Sequence, residues 1–86
     1  ESLDFIYPEH NAEIVIPRGF DGEFEEVVFS AVSKRADATL FWHMDNTYIG
    51  STKDDHKISL TPEKGSHVLS VVDEIGNRRA VMIHLK

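Results

Sequence analysis

Apolar residues along the chain come in short runs, and turn-forming residues interrupt them about every 8 to 12 positions, the spacing of an all-β sandwich or barrel. No apolar period near 3.6 is sustained, so no long helix is expected. "LDFIYP" (3 to 8) reads as a strand stopped by Pro8, and "AEIVIP" (12 to 17) alternates Ala12, Ile14 and Ile16 until Pro17 stops it. Proline cannot donate to a ladder, so both runs suit sheet edges. "RGFDGEF" (18 to 24) is turn chemistry, with Asp21-Gly22 able to take positive backbone angles. "EEVVFSAVS" (25 to 33) carries Val27, Phe29 and Ala31 on one face and Val28, Ser30 and Val32 on the other. Two fairly apolar faces predict a central strand.

After the polar loop "KRADA" (34 to 38), the strand "TLFWHM" (39 to 44) groups Leu40, Trp42 and Met44 toward the core and puts Phe41, His43 and Asp45 opposite. "DNT" (45 to 47) turns, because asparagine tolerates the left-handed region, and "YIGS" (48 to 51) returns. "TKDD" (52 to 55) reads as a charged loop and "HKISLTP" (56 to 62) as another strand. "EKG" then leads into "SHVLSVVD" (66 to 73), where His67, Leu69 and Val71 share a face. "EIGN" (74 to 77) closes a hairpin to "RRAVMIHLK" (78 to 86), with Val81, Ile83 and Leu85 aligned. About seven strands with one tryptophan in the middle outline an immunoglobulin-like or fibronectin type III-like antiparallel β-sandwich. The pattern does not order the strands between sheets, and a barrel fits it too.

Length changes this picture only by bounding it: 86 residues suit a single domain over 1–86 with one modest core. Charge removes a function class. A net charge of −6 argues against nucleic acid, whose phosphates are held by clustered Lys and Arg. The pairs Lys34/Arg35 and Arg78/Arg79 read as solvated strand ends. The absence of cysteine excludes disulfides, thiolate zinc sites and a cysteine nucleophile. No apolar run reaches the roughly 18 residues of a membrane span, so this domain itself is expected to make no membrane contact. The first residues lack the basic start and apolar stretch of a signal peptide.

The chemistry-bearing residues assemble into no catalytic set. His10, His43, His56, His67 and His84 lack the i, i+2 or i, i+4 spacing of ligands on one element, so neither a metal nor another cofactor is expected. Ser66, His67 and Asp73 supply the types of a hydrolytic triad but no strained nucleophile turn, and no serine has a lysine three positions on. The carboxylates read as solvated edges that discourage sheet-to-sheet pairing. Most of the eight aromatics fall where core filling explains them, while Tyr7, Phe41 and Tyr48 stand as candidate exposed contacts. With His43 beside Phe41, the binding candidates are Phe41, His43 and Tyr48.

"IYPEHNAEIVIP" (6 to 17), "FWHMDNTYIGST" (41 to 52), "GSHVLSVVDEIGN" (65 to 77) and "VMIHL" (81 to 85) together resemble the C-terminal domain of bifunctional penicillin-binding proteins of the 1C type. Pro8, Ala12, Ile14, Pro17, Trp42, Gly50, Gly65, His67, Leu69, Val71, Asp73 and Gly76 fit the family pattern. Asp45-Asn46-Thr47 replaces its glycine-containing turn. The resemblance implies a non-catalytic C-terminal module of a larger periplasmic enzyme, anchored in the bacterial inner membrane, that polymerises and cross-links peptidoglycan. The parent's glycosyltransferase and transpeptidase sites would lie in other domains. Implied partners are the parent's transpeptidase domain, a periplasmic protein or peptidoglycan. A purely structural spacer or cap, or an unrelated extracellular adhesion-type module, are the alternatives. Within the pattern, Pro8, Trp42, Gly65, His67, Asp73 and Gly76 are expected to be structural. Asp73 would bond the backbone that follows it, and His67 would pack beside the core with one nitrogen on backbone.

Overall fold

Period-two alternation carries Leu40 and Trp42 on one strand, and Leu69 and Val71 on another, into positions with no solvent exposure. That alternation fixes which side of each strand faces inward. The computed structural model describes residues 2–86, in which eight strands and no helix occur. They are β1 (Leu3–Tyr7), β2 (Ala12–Ile14), β3 (Val27–Ser33), β4 (Thr39–Met44), β5 (Thr47–Lys53), β6 (Lys57–Leu60), β7 (Gly65–Asp73) and β8 (Arg78–Leu85). One sheet runs β1-β3-β6 and the other β2-β8-β7-β4-β5. Phe29, Val27, Leu3 and Ala31 from the first meet Trp42, Leu40, Leu69 and Ile83 from the second in one core. The Phe5 ring meets Trp42 edge-on, at 6.1 Å and 70°. Such a pair adds about 0.5–1.5 kcal/mol beyond its buried area.

All eight expected runs contain strands: 39–44 keeps its ends, six others have shifted ends, and the short return strand is longer than its sequence suggests. The β4–β5 turn is the two-residue Asp45-Asn46, with φ of 51° and 68°. These are the backbone angles of a type I′ hairpin. Thr47 therefore starts β5, which continues through Thr52 and Lys53 instead of ending at Ser51. Between Trp42 opposite Gly50 and His43 opposite Tyr48, Ile49 is an inserted bulge residue. Gly50 has φ of 149°, and a Cβ there would stand 3.0 Å from Ile58 Cδ1, so glycine lets β5 bend over β6.

Antiparallel order holds for every pairing but one. β2 runs parallel to β8, with Ala12, Glu13 and Ile14 opposite Ile83, His84 and Leu85. After β1 the chain crosses between sheets at the fully buried Pro8, whose bond to Tyr7 is cis, and arrives alongside the last strand in its own direction. Only Ala12–Ile14 of the expected 12–17 run is strand, although Lys86 N–H donates to Ile14 O (2.8 Å) and Ile16 N–H to Lys86 O (3.3 Å). Ile16 is still buried.

Core filling explains fewer aromatics than expected. Trp42 and Phe29 are buried and Phe5 packs against them, but Phe20 stands fully in solvent at the tip of the 18–24 loop. That loop is closed by an Arg18–Phe24 bridge, with the Arg18 guanidinium 4.2 Å above the Phe24 ring. Arg35 is also more than a solvated strand end. Its Nη1 donates to Glu74 Oε1 (2.7 Å) and Asp73 Oδ2 (3.4 Å), and Glu74 Oε2 accepts from Thr39 N–H (3.0 Å). The 34–38 loop is thereby tied to the β7–β8 hairpin.

Candidate functional site

Three groups of side chains carry polar chemistry at fixed places in this frame. The first is the outer face of the five-stranded sheet. Phe41 and His43 project there from β4 because Leu40 and Trp42 point inward. The β4–β5 hairpin sets Tyr48 opposite His43, with ring centroids 5.8 Å apart at 64°. Across the sheet, Phe41 faces Val72, His43 faces Ser70 and Ser70 faces Ala80. The small Ser70 and Ala80 keep the floor low beside the rings. Tyr48 is 57% exposed, while Phe41 and His43 are half-buried. The fold thus brings together the three binding candidates named from sequence. Their rings and polar edges suit stacking and hydrogen bonding.

The second group lies at one end of the sandwich. Met44, Ile49, Leu60 and Pro62 form an apolar groove of about 270 Å³, bordered by Asp45, Glu63 and His67. His67 Nδ1 lies 2.5 Å from Asp45 Oδ2 and its Nε2 2.8 Å from Glu63 O. When protonated, the ring can donate from both nitrogens at once, to the Asp45 carboxylate and to the Glu63 carbonyl. The hydrogen bond to Asp45 raises the His67 pKa above the ordinary imidazole value against some desolvation, and the Glu63 carbonyl adds to it. Asp45 is held below the usual carboxylate range by His67 first and by Val68 N–H, which donates to Oδ1 at 2.8 Å. The expected backbone bond of His67 is present. The carboxylate partner lies 22 residues away in sequence, and no local spacing marks it.

A pH dependence follows from these directions. The His67 contribution is fully present below its unfolded pKa of about 6.5 and is lost as pH rises through the raised folded value. The Asp45 contribution is present above about pH 3.9 and is lost as pH falls through its depressed value. The pair therefore stabilises most between those limits, modestly because Asp45 is half exposed. NMR titration of the His67 ring should show its pKa falling toward the ordinary value in Asp45→Asn. An unchanged midpoint would rule out the ion pair as its cause.

The third group is internal. Trp42 Nε1 donates to Thr52 Oγ1 (2.9 Å), which lies 2.9 Å from the Nδ1 of buried His56. A threonine in β5 rather than a charged loop makes this chain of bonds possible. At the β7–β8 hairpin the buried Asp73 accepts from Ile75 N–H (3.1 Å), Asn77 N–H (2.8 Å) and Asn77 Nδ2 (2.8 Å). This is the role expected of it, and Gly76 completes the turn with φ of 94°. Burial of Asp73 opposes its charge most strongly. The Asn77 and Ile75 bonds, with Arg35, outweigh that and leave its pKa lowered.

Ser66, His67 and Asp73 do not converge. Adjacent Ser66 and His67 face opposite sides of β7, Ser66 Oγ meets His84 Nδ1 at 2.8 Å, and Asp73 lies at the far end of the strand. Among the described residues, no three His, Cys, Asp or Glu side chains are grouped to hold a metal ion.

The model of the Penicillin-Binding Protein C-terminus Family matches residues 1–83. In structure the chain is similar to the fibronectin(III)-like modules of Clostridium thermocellum CbhA, with a TM-score of 0.71 and 18% identity. The likeness covers 98% of this chain and 96% of that one, and gives the fold as fibronectin III-like. A search of curated proteins returns no match.

Proposed function

The chain belongs to the penicillin-binding protein C-terminus family, and from that premise we propose that it is a non-catalytic interaction module of a peptidoglycan-synthesising penicillin-binding protein. The parent would be a periplasmic glycosyltransferase and transpeptidase held in the inner membrane, and this module would bind cell-wall material or a periplasmic partner. The observation that carries the reading is the aromatic set Phe41, His43 and Tyr48, gathered on an open sheet face of a domain in which, among the described residues, every buried side-chain polar atom has a hydrogen-bond partner. Tyr48 is exposed despite its size, and its ring is braced by His43 instead of being buried.

Stacking of an aromatic ring against a sugar or peptide ligand depends on that ring being held flat to the surface. Co-sedimentation with isolated peptidoglycan sacculi, and affinity capture from periplasmic extract, should therefore recover the parent protein through this module. The Phe41→Ala/Tyr48→Ala variant should lose about 5- to 150-fold in affinity, from roughly 0.5–1.5 kcal/mol for each ring. Equal retention of the variant and the unaltered protein would remove this face as the binding surface. Full activity and partner binding by a parent lacking the module would remove the reading itself.

A further inference from the structure

We propose that the outer face of the β1-β3-β6 sheet seats the domain that precedes this module in the parent protein. The inference rests on the reading above, in which the module sits at a C-terminus, and adds a second surface with a different occupant. β3 is hydrogen-bonded on both edges, yet its outward Val28 and Val32 are each 48% exposed. A sheet with one solvated face ordinarily places polar residues at such positions. The register shift between Phe5 and Tyr7 adds Ile6 (65% exposed) and Tyr7 (43%), and Tyr7 lies opposite Ser30, midway between the two valines. The four side chains lie on one face, beside Asp4 opposite Val32 and Lys57 opposite Ser30, and among the described residues all four stay open to solvent.

The course of the backbone selects the occupant. Lys34 N–H donates to Ser2 O (2.9 Å), and Leu3 lies opposite Ser33, so β1 begins at the Val32 end of this face. An open groove of about 450 Å³ there is lined by Ser2, Asp4, Val32, Ser33 and Lys34. A domain joined ahead of Ser2, as the reading above has it, would be tethered at this end of the face. Size points the same way. Four partly exposed side chains offer at most a few hundred Å² of apolar surface, well under the roughly 800 Å² that each side of a free, stable complex buries. A tethered neighbour is present at an effective concentration of about 1 mM and needs far less contact area to stay docked.

The test uses the full-length parent with a photoreactive phenylalanine analogue in place of Val32, or of Tyr48 for comparison. Illumination followed by mass spectrometry should give a cross-link from position 32 to the preceding domain of the same chain, with a yield independent of protein concentration. Position 48 should give none to that domain, and Val28→Glu should abolish the product at position 32 while the module keeps its far-ultraviolet circular dichroism. A yield rising with concentration would mean a second copy covers the face and would overturn the proposal. So would cross-links only to other proteins, or none at all. None of those results bears on the Phe41 and Tyr48 face, so the two readings fail separately.

Discussion

Trp42→Ala is expected to bring the domain close to unfolding at ordinary temperatures. Truncating a buried tryptophan to alanine costs about 3–5 kcal/mol through lost transfer energy and the cavity left behind. A domain of this size has only about 4–13 kcal/mol in total. Trp42 is completely enclosed, it supplies the flat partner for Phe5, and its Nε1 is the donor that fixes Thr52 toward His56. The melting temperature should fall by about 15 °C or more. Trp42→Phe separates the contributions, since it keeps most of the ring packing and removes the donor, for about 1–2 kcal/mol. Calorimetry reports both without relying on tryptophan emission. If alanine and phenylalanine variants melted within a few degrees of each other, packing around Trp42 would not be the main support of this core.

Asp73 should produce the next largest effect, with a distinct pH signature. Its carboxylate is enclosed, so its acceptors serve the Ile75 and Asn77 donors that shape the β7–β8 turn and receive Arg35 from the 34–38 loop. Asp73→Ala leaves those donors without their partner and should lower the melting temperature by on the order of 10 °C. The folded carboxyl titrates below its ordinary range, so its contribution is complete above the unfolded pKa of about 3.9 and disappears as pH falls through the folded value. The unaltered protein should therefore lose stability steeply below about pH 4, and Asp73→Asn should be weaker at neutral pH with a flatter acid limb. Denaturant melts from pH 2 to pH 7 would check this. Parallel acid limbs in the two proteins would assign the acid sensitivity to another carboxylate.

Much of this architecture can be read from the order of side chains, because burial imprints a period of two on any strand with one wet face. Leu40 with Trp42, Leu69 with Val71, and Val81 with Ile83 announce their inward direction. The Asp-Asn pair announces its turn, and Asp73 with Gly76 announces the second one. The hydrogen-bonding direction of a strand leaves no such imprint, and so the parallel β2–β8 ladder is invisible in "AEI". The Ile49 bulge is likewise a property of β4 and β5 together. It is what allows Thr52 to reach Trp42 from a stretch that composition alone assigns to a charged loop. Val28 and Val32 illustrate a third limit. Their apolar character is plain in sequence and suggested burial on both faces, but what covers a sheet's second face is decided outside the strand that carries it.

The site shows the same division. Period two places Phe41 and His43 on one face, and the hairpin adds Tyr48, so that constellation follows from local rules. His67 and Asp45 meet only because β4 and β7 are neighbours, which brings the turn after Met44 beside Val68. No spacing along the chain encodes that encounter.

The parallel β2–β8 ladder has a consequence for synthesis. A ribosome releases the chain from its N-terminal end, yet β8 lies between β2 and β7 and contributes the enclosed Ile83 and Leu85. Residues 12–14 therefore wait for residues 83–85, and β7 lacks its neighbour until the same moment. The nascent domain stays open until its last strand has emerged, and a chain truncated ahead of Arg78 would have two exposed strand edges and no route to closing them.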